Sequence, residues 1–238
     1  MKAIILANEL KRTLYPFTEP RPYFCIPILT EPVLERNIKL LAQLGIEELI
    51  LVIHEDYITE VKAILWRINL PKEPNYELVK VSQRDISALK AVQVEGSTLI
   101  LKAGTYVSSL KVLEESIEDW SGHPTIVLSD TGYFRKKTVM ISFADRDNSK
   151  LRTCRHDFSH PGSGLNDAGL YFMDGRDLNI VELCSPNPHT ERVKAVDLFG
   201  LLATKKECRV SIFKGIRPIA VSVGHNRLQS GCLKEAWR

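Results

Sequence analysis

Apolar runs of strand length alternate, in the first half of the chain, with stretches in which apolar residues recur every three or four positions. A continuous apolar run of this length is typical of a strand buried on both faces. Strands that alternate with helices predict βαβ units, and hence an α/β fold in which helices flank a mostly parallel, twisted sheet in three layers. The predicted strands lie at 2–7, 48–53, 76–81, 98–102 and 125–128, and the predicted helices at 33–44, 56–68, 86–92 and 110–120.

Two of these helices carry well-marked apolar stripes. Leu34, Ile38 and Leu41 lie on one face of the first helix, and Ile58, Val61 and Leu65 lie on one face of the second. A stripe at this spacing covers one side of a helix, so we expect both stripes to be buried against the sheet. Gly45 follows the first helix, where a helix end favours a residue with positive φ.

The second half of the chain has a less regular pattern. Residues 145–164 are polar and rich in Gly, Ser, Asp and Arg, which predicts a hairpin and a loop. Because there is no internal repeat and no low-complexity linker, we expect one domain over residues 1–238. The remaining predicted elements are strands at 138–143, 168–173, 208–213 and 218–223, a helix around 190–204 and a terminal helix from Asn226.

Composition narrows the classes of function. The net charge of +3 is too small to indicate a nucleic-acid or membrane partner, and the basic clusters are short. The first apolar run stops at Asn8, which is too short for a signal peptide or a membrane span. Five cysteines without a CxxC pair favour free thiols and a cytoplasmic location. Cys154, His156 and the nearby His160 could suggest metal ligands, but no second cluster has ligand spacing, so we expect no metal site.

The segment after the first strand carries a family resemblance. A strand that begins at residue 2 and breaks at residue 8 places a loop at the carboxyl end of the sheet, where open α/β folds bind ligands. The chain reads LANELKRTLYPFT from Leu6 to Thr18 and RPYFCIP from Arg21 to Pro27. These segments resemble, without a gap, the L-A-A-G-x-G-T-R-L-x-P-x-T and K-P-x-x-P motifs of the sugar-phosphate nucleotidyltransferases, or NDP-sugar pyrophosphorylases.

The resemblance implies a Rossmann-like nucleotidyltransferase fold. It also implies an ancestral activity in nucleotide-sugar metabolism, in which a nucleoside triphosphate and a sugar 1-phosphate give an NDP-sugar and pyrophosphate. Weaker similarity extends to DAGLYF at 167–172, where the family has an N-A-G-I-Y-x-F strand.

The residues that carry the family's chemistry differ in this chain. The two loop glycines of the family, which let backbone N–H groups approach the phosphates, are Glu9 and Lys11 here. The loop Arg is replaced by Thr13, with Arg12 displaced by one residue, and the Lys of K-P is replaced by Tyr23. A carboxylate at Glu9 puts negative charge where a triphosphate has to sit.

The family's metal-binding positions are also changed. The resemblance implies one magnesium ligand in an L-x-x-G-D pattern after the fourth strand and another in a D-x-G-T pattern near the C-terminus. Those positions are Thr105 and Ser222 here, and hydroxyls alone bind magnesium poorly. The base-reading G-T-A-x-A turn becomes RDISA, beginning at Arg84. We therefore expect no catalytic residue and no cofactor, with magnesium required only if activity is retained.

Several residues of the remodelled cleft are candidates for a new ligand site. Lys11, Arg12 and Arg84 can attract an anion, and Asn8 and Asp167 can hydrogen-bond a sugar or a base. The complete candidate cleft consists of Ala7, Asn8, Glu9, Lys11, Arg12, Thr13, Tyr23, Arg84, Thr105, Asp167 and Ser222.

Two hypotheses of function follow. The first is a pseudoenzyme: a regulatory, binding or interaction module that keeps weak nucleotide or sugar-phosphate sensing and works with a protein partner, an active paralogue or a second copy of itself. The second is a diverged sugar-1-phosphate nucleotidylyltransferase that still forms an NDP-sugar. Losing a single charge-stabilising group typically costs about 10²–10³ in rate, so the joint loss of several favours the first.

Overall fold

A computed structural model of the chain describes residues 1–9, 22–28, 30–70, 74–130, 138–143, 150–157, 165–185 and 193–218. The strands in these ranges are β1 (Lys2–Ala7), β2 (Pro27–Ile28), β3 (Glu31–Pro32), β4 (Glu48–His54), β5 (Asn75–Val81), β6 (Ser97–Lys102), β7 (Thr105–Val107), β8 (Thr125–Asp130), β9 (Thr138–Phe143), β10 (Lys150–Asp157), β11 (Leu165–Asp174), β12 (Cys208–Ile212) and β13 (Ile216–Pro218). The α-helices are α1 (Val33–Gln43), α2 (Ile58–Arg67), α3 (Leu110–Glu118) and α4 (Ala195–Ala203). Short 3-10 helices cover Tyr23–Cys25, Glu55–Tyr57, Asp85–Ala91 and Gly175–Leu183.

Within the described ranges, one nine-stranded sheet has the order β5-β4-β1-β6-β11-β8-β12-β10-β9. The first four strands are parallel to one another, and β12 is parallel to β8. Strand β11 is antiparallel to both of its neighbours, and so is β10. All strands of this sheet except β11 and β10 therefore run in one direction, which confirms the mostly parallel sheet.

Two apolar cores, one on each face of the sheet, give the fold its three layers. In β1, Ala3 and Ile5 face the core that is covered by α1, α2 and α3. Ile4 and Leu6 face the other core, which is covered by α4 and by the 3-10 helices Asp85–Ala91 and Gly175–Leu183. Because successive side chains of a strand point to opposite faces, a strand covered on both sides is apolar throughout, as the sequence of β1 is.

The predicted helix stripes are buried against the sheet. Leu34, Ile38 and Leu41 are fully or almost fully buried in α1, and Val61 is fully buried in α2. Ile58 and Leu65, also in α2, are partly buried and pack against the same core. The amphipathic spacing therefore predicted both packing faces correctly.

One predicted element differs in detail from the structure, and others lie partly or wholly outside the described residues. The segment predicted as a short helix at 86–92 is a 3-10 helix, with no side-chain cap at its first turn and with Asp85 at φ 58°. Of the strand predicted at 218–223, only Pro218 lies within the described residues, where it is the last residue of β13, which pairs with β7. Strands β9 and β10 pair antiparallel, while residues 145–149 and 158–164 of the predicted hairpin and loop, and the terminal helix from Asn226, lie outside the described residues.

No helix in the part of the chain that the structure describes combines the length and the apolar character needed to cross a bilayer.

Candidate functional site

The four parallel strands β5, β4, β1 and β6 all end at one edge of the sheet, and several of the candidate residues that the structure describes lie there. Asn8 and Glu9 directly follow β1, Arg84 follows β5, and Lys102 is the last residue of β6. Polar side chains at this edge converge because parallel strands present their carboxyl ends together.

A buried ion cluster lies at the centre of this edge. The Nζ atom of Lys102 is 3.0 Å from Oε1 of Glu9 and 3.3 Å from Oδ2 of Asp167. The three side chains are only 16%, 7% and 17% exposed, respectively. Burial lowers the pKa of the Lys102 ammonium, but the attraction of Asp167 and Glu9 outweighs burial, so this pKa lies well above its ordinary value. The ammonium is therefore charged at neutral pH.

Two buried tyrosines complete what we call the Lys102 cluster: Glu9, Tyr23, Lys102, Asp167 and Tyr171. The Tyr23 hydroxyl donates to Oε2 of Glu9 at 3.1 Å, and the Tyr171 hydroxyl lies 2.8 Å from both carboxylate oxygens of Asp167. Burial, followed by the charge of Glu9, raises the pKa of Tyr23 well above its ordinary value. Burial, followed by the charge of the Asp167 carboxylate, raises the pKa of Tyr171 well above its ordinary value. Both hydroxyls therefore stay protonated and act as donors to the carboxylates.

The Tyr23 ring packs directly against the backbone of Gly104. A Cβ atom added at Gly104 would lie 1.7 Å from Cε2 of Tyr23, which is far inside contact distance. The Tyr23 side chain is 1% exposed, and its ring meets the edge of the Phe24 ring at a centroid distance of 5.6 Å. An aromatic side chain thus fills the space beside the Gly104 backbone.

Thr105, which follows Gly104, is tied to the main chain. Its hydroxyl donates to the carbonyl of Ala168 at 2.9 Å, and the residue is almost fully buried. The neighbouring Gly169 has a φ of +80°, and a Cβ atom there would lie 2.2 Å from Oγ1 of Thr105. Glycine is therefore required at position 169 both by its backbone conformation and by the close approach of Thr105.

These contacts do not fit a magnesium site. Thr105 contributes a hydroxyl that is already used, and both carboxylates of the cluster are bonded to the ammonium of Lys102. The described residues contain no group of three or more His, Cys, Asp and Glu side chains placed to hold a metal ion. Magnesium requires several hard oxygen ligands in octahedral geometry, and this donor set does not provide them.

Asn8 joins the end of β1 to the turn after β5. Its Nδ2 donates to the carbonyl of Asp85 at 2.8 Å and to the carbonyl of Gln83 at 3.3 Å. The side chain is fully buried, and its Oδ1 has no hydrogen-bond partner among the described residues. The amide nitrogen of Asn8 is therefore used to fix the turn and is not available to a sugar or a base.

Arg84 belongs to a separate group at the end of β4. Its Nη2 is 3.7 Å from Oδ2 of Asp56, and Nδ1 of His54 is 3.2 Å from the same carboxylate oxygen. Burial raises the pKa of the nearby Tyr57 above its ordinary value, and the charge of Arg84 offsets only part of this rise. Arg84 is thus held beside Asp56 and Tyr57.

The structure brings together some of the sequence-predicted residues and not others. Glu9, Tyr23 and Asp167 share the Lys102 cluster, and Thr105 lies beside Ala168 in the same region. Ala7 is fully buried in the apolar core with α1, α2 and α3. Lys11, Arg12, Thr13 and Ser222 lie outside the described residues.

Sequence analysis missed two members of the cluster, Lys102 and Tyr171. The signal for Lys102 was its position: a lysine that ends the buried run LILK immediately before Ala103 and Gly104. A charged residue at the end of a buried strand requires a partner. The partners are distant in the chain, so the pattern alone did not identify them.

No family model matches the sequence, and no curated protein matches it. Solved structures do match over nearly the whole chain. A UDP-glucose pyrophosphorylase in complex with UDP-glucose has a TM-score of 0.76 and 14% identity, covering 98% of each chain. The inositol-1-phosphate CTP transferase of T. maritima has a TM-score of 0.73 and 14% identity, covering 97% of this chain and 95% of its own.

A CTP:phosphocholine cytidylyltransferase from Streptococcus pneumoniae has a TM-score of 0.71 and 18% identity, covering 96% of this chain and 97% of its own. These similarities confirm the fold that the sequence motifs implied. The chain has the Rossmann-like fold of the sugar-phosphate nucleotidyltransferases. At such low identity the likeness establishes the fold and leaves the activity to be argued from the site.

Proposed function

We propose that this chain is a pseudoenzyme with a nucleotidyltransferase fold, which has lost nucleotidyl transfer and works as a regulatory or binding module. The observation that carries the proposal is the Lys102 cluster. Its ammonium is bonded to Glu9 and Asp167, so it is not placed to neutralise a phosphate. Nucleotidyl transfer depends on positioning and on neutralising charge, and a cation already paired with two carboxylates contributes little to either.

Two further contacts support the loss of catalysis. The Tyr23 ring fills the space against the Gly104 backbone, so a ligand group cannot approach that backbone while the ring is in place. The Thr105 hydroxyl is used by the carbonyl of Ala168. Both contacts belong to the folded interior, so a ligand would have to break packing and hydrogen bonds to enter.

The test is magnesium-dependent release of pyrophosphate by the purified chain, across a panel of nucleoside triphosphates and sugar 1-phosphates. We expect no release above background, and binding of ATP, CTP, GTP or UTP by calorimetry no tighter than about millimolar, which is about −4 kcal/mol. An active nucleotidyltransferase assayed in parallel is the positive control. A low-micromolar, magnesium-dependent constant would contradict the proposal.

A second candidate function is a diverged sugar-1-phosphate nucleotidylyltransferase. It is favoured by the coverage of 98% of both chains in the likeness to a UDP-glucose pyrophosphorylase that binds UDP-glucose. The same assay separates the two candidates, and Asp167→Asn is the matched variant because it keeps the shape of the side chain and removes its charge. If the Asp167→Asn variant releases pyrophosphate more slowly than the unaltered chain, the activity belongs to this chain and supports the second candidate. If both release it at the same rate, the activity comes from a contaminant.

If the chain is a pseudoenzyme, as we propose, it acts in the cytoplasm through association with an active relative, with another protein or with a second copy of itself. The association is tested by sedimentation of the chain alone and mixed with an active nucleotidyltransferase from the same cell, together with the activity of that enzyme. A complex that changes the enzyme's rate supports regulation. A chain that neither self-associates nor alters the enzyme's rate contradicts regulation of that enzyme and restricts the module to ligand sensing.

A further inference from the structure

We propose that two copies of this chain associate edge to edge, through strand β5 and the flank of helix α2 that lies beside it. The inference deepens the proposed function, on whose association it rests, by naming the partner and the surface. This surface, which we call the β5 edge, consists of β5 (Asn75–Val81) and of the open flank of α2 (Ile58–Arg67).

Strand β5 is the outermost strand at its end of the sheet within the described residues. Its seven residues pair with β4 in unbroken register. The N–H of Asn75 donates to the carbonyl of Glu47 at 2.7 Å, so the backbone groups of Asn75 point toward β4. Because these directions alternate along a strand, the N–H and C=O of Leu78 point the other way, out of the sheet. A long, regular edge of this kind is a template for pairing with another strand.

The flank of α2 above this edge is apolar and open. Arg67 binds Glu35 of α1 at 2.9 Å, so that flank of α2 faces α1. On the opposite flank, about half a helical turn away, Ile58 and Leu65 are only partly buried and Trp66 is 94% exposed. A bulky indole therefore projects beyond the last strand of the sheet and is not covered by its own chain.

A second copy satisfies both parts of the β5 edge. A two-fold axis perpendicular to the sheet pairs the two β5 strands antiparallel, with Leu78 opposite Leu78 of the second copy, and each donates its N–H to the carbonyl of the other. Leu78, which is 36% exposed, is thereby covered by its own symmetry mate.

The same axis brings the two α2 helices together. Helix α2 connects β4 to β5 and packs on the core that Tyr76 of β5 also contacts, so it lies over these two strands. At a strand spacing of about 4.8 Å, the axes of the two α2 helices come about 10 Å apart, which is the distance at which helices pack. Trp66 of each copy is then covered by α2 of the other. An extended peptide added to β5 would lie in the plane of the sheet and leave Trp66 exposed, which favours the second copy as the partner.

The size of the β5 edge sets the expected affinity. Seven strand residues span about 23 Å, and a sheet layer with one helix layer is about 20 Å deep, so two copies bury about 1,000 Å² in all. That area is near the lower limit of specific interfaces. Lys62 is exposed on the same flank, and its repulsion of Lys62 of the second copy lowers the affinity further. We therefore expect a reversible dimer with a Kd on the order of 10 µM.

Sedimentation equilibrium of the purified chain, from about 1 to about 200 µM, measures this Kd. Trp66→Ala removes the indole from the interface, and we expect the Kd to rise at least about tenfold. Leu183→Ala is the matched control, because Leu183 is also an exposed apolar residue, at 61%, but ends the 3-10 helix Gly175–Leu183 on the other face of the sheet. It should leave the Kd unchanged.

Cysteine substitution tests the register of the two strands. The two Cα atoms of residue 78 would be about 5.5 Å apart across the axis, within reach of a disulfide. Lys80 is exposed on the same face of β5, but the two copies of residue 80 would be more than about 13 Å apart, since they are displaced by four residues along the strands. With oxidised glutathione as the oxidant, Leu78→Cys should form a covalent dimer and Lys80→Cys should not. The unaltered chain, treated in parallel, is the blank for the chain's own cysteines.

Hydrogen exchange of the unaltered chain keeps the inference testable if a variant does not fold. The N–H of Leu78 should exchange more slowly at about 200 µM than at about 1 µM, because it is bonded only in the dimer. Three results would overturn the inference: a chain that stays monomeric at the highest concentration, a dimer whose Kd does not respond to Trp66→Ala, and equal cross-linking of Leu78→Cys and Lys80→Cys. A Leu78 N–H whose exchange does not depend on concentration would do the same.

The inference and the proposed function fail in different ways. Pyrophosphate release by the unaltered chain that Asp167→Asn reduces contradicts the proposed function and leaves the dimer as it stands. A monomeric chain that releases no pyrophosphate contradicts the pairing of β5 edges and leaves the loss of catalysis as it stands.

Discussion

The contact between Tyr23 and Gly104 gives a sharp test of whether the aromatic ring fills the cleft. In Gly104→Ala, the new Cβ would lie 1.7 Å from Cε2, 2.5 Å from Cζ and 2.7 Å from the hydroxyl oxygen of Tyr23. An ordinary separation between carbon atoms is about 3.5–4.0 Å, so the ring would have to move by about 2 Å. The ring is buried and packed against Phe24, and it has no room to move without disturbing that packing.

The expected cost comes from two sources. Overpacking of a well-packed interior costs about 1–3 kcal/mol. A ring displaced by this amount also loses its hydrogen bond to Glu9, and a hydrogen bond to a charged group is worth about 1.5–3 kcal/mol. We therefore expect Gly104→Ala to lower the free energy of unfolding by about 3 kcal/mol, which is a fall of about 6–12 °C in the melting temperature of a chain of this size.

The measurement is a double-mutant cycle by urea unfolding with Gly104→Ala, Tyr23→Ala and the double variant. The three atoms nearest the added Cβ all belong to Tyr23, so in the Tyr23→Ala background Gly104→Ala should change the free energy of unfolding by no more than about 1 kcal/mol. Gly122→Ala measures separately the backbone strain of a Cβ at positive φ, because Gly122 has a φ of +84° and nothing lies within 4 Å of its added Cβ. An equal cost of Gly104→Ala with and without the Tyr23 ring would refute the packing argument.

Three further predictions follow from single contacts and pKa shifts. Asn8→Ala should lower the free energy of unfolding by about 1–3 kcal/mol, because it removes the donor to two main-chain carbonyls after β5; thermal unfolding measures this. Burial raises the pKa of the Cys208 thiol to about 12, so iodoacetamide at pH 8 should leave Cys208 unmodified in the folded chain and modify it in urea, as peptide mass spectrometry will show. Tyr23, Lys102 and Tyr171 all have folded-state pKa values above their unfolded values. The stability that they contribute is therefore fully present below about pH 10 and is lost as the pH rises further. Urea unfolding between pH 8 and 11.5 should show this fall in the free energy of unfolding, and a flat profile would contradict it.

The local pattern of the sequence determined the strands and helices of the first half. The run at 2–7 is apolar throughout because β1 is covered on both faces, and the stripe at 34–41 has helical spacing because α1 is covered on one. The spacing of apolar residues along a short segment indicates which of its faces are buried, so this burial can be predicted without knowledge of the rest of the chain. The comparison of Glu9, Tyr23 and Thr105 with the family's motifs likewise needed only short segments of the sequence, and it implied that these three residues stand where the family has a Gly, a Lys and an Asp.

The direction of β11 could not be predicted from its sequence. A strand with two buried faces is equally apolar whether it runs parallel or antiparallel to its neighbours, and β11 is antiparallel to both β6 and β8. Direction is decided by the path of the chain between strands, and the polar segment at 145–164 left that path open.

The Lys102 cluster was decided by tertiary structure alone. Lys102 ends β6, Glu9 follows β1, and Asp167 lies in β11, and these three strands are adjacent in the sheet although they are far apart in the sequence. The family resemblance implied, separately, that Glu9 lies in the phosphate loop and that Thr105 stands where the family has a metal ligand. Only the order of strands in the sheet brings the Lys102 ammonium between the two carboxylates, because an ion pair depends on distance in space and leaves no periodic trace along the chain.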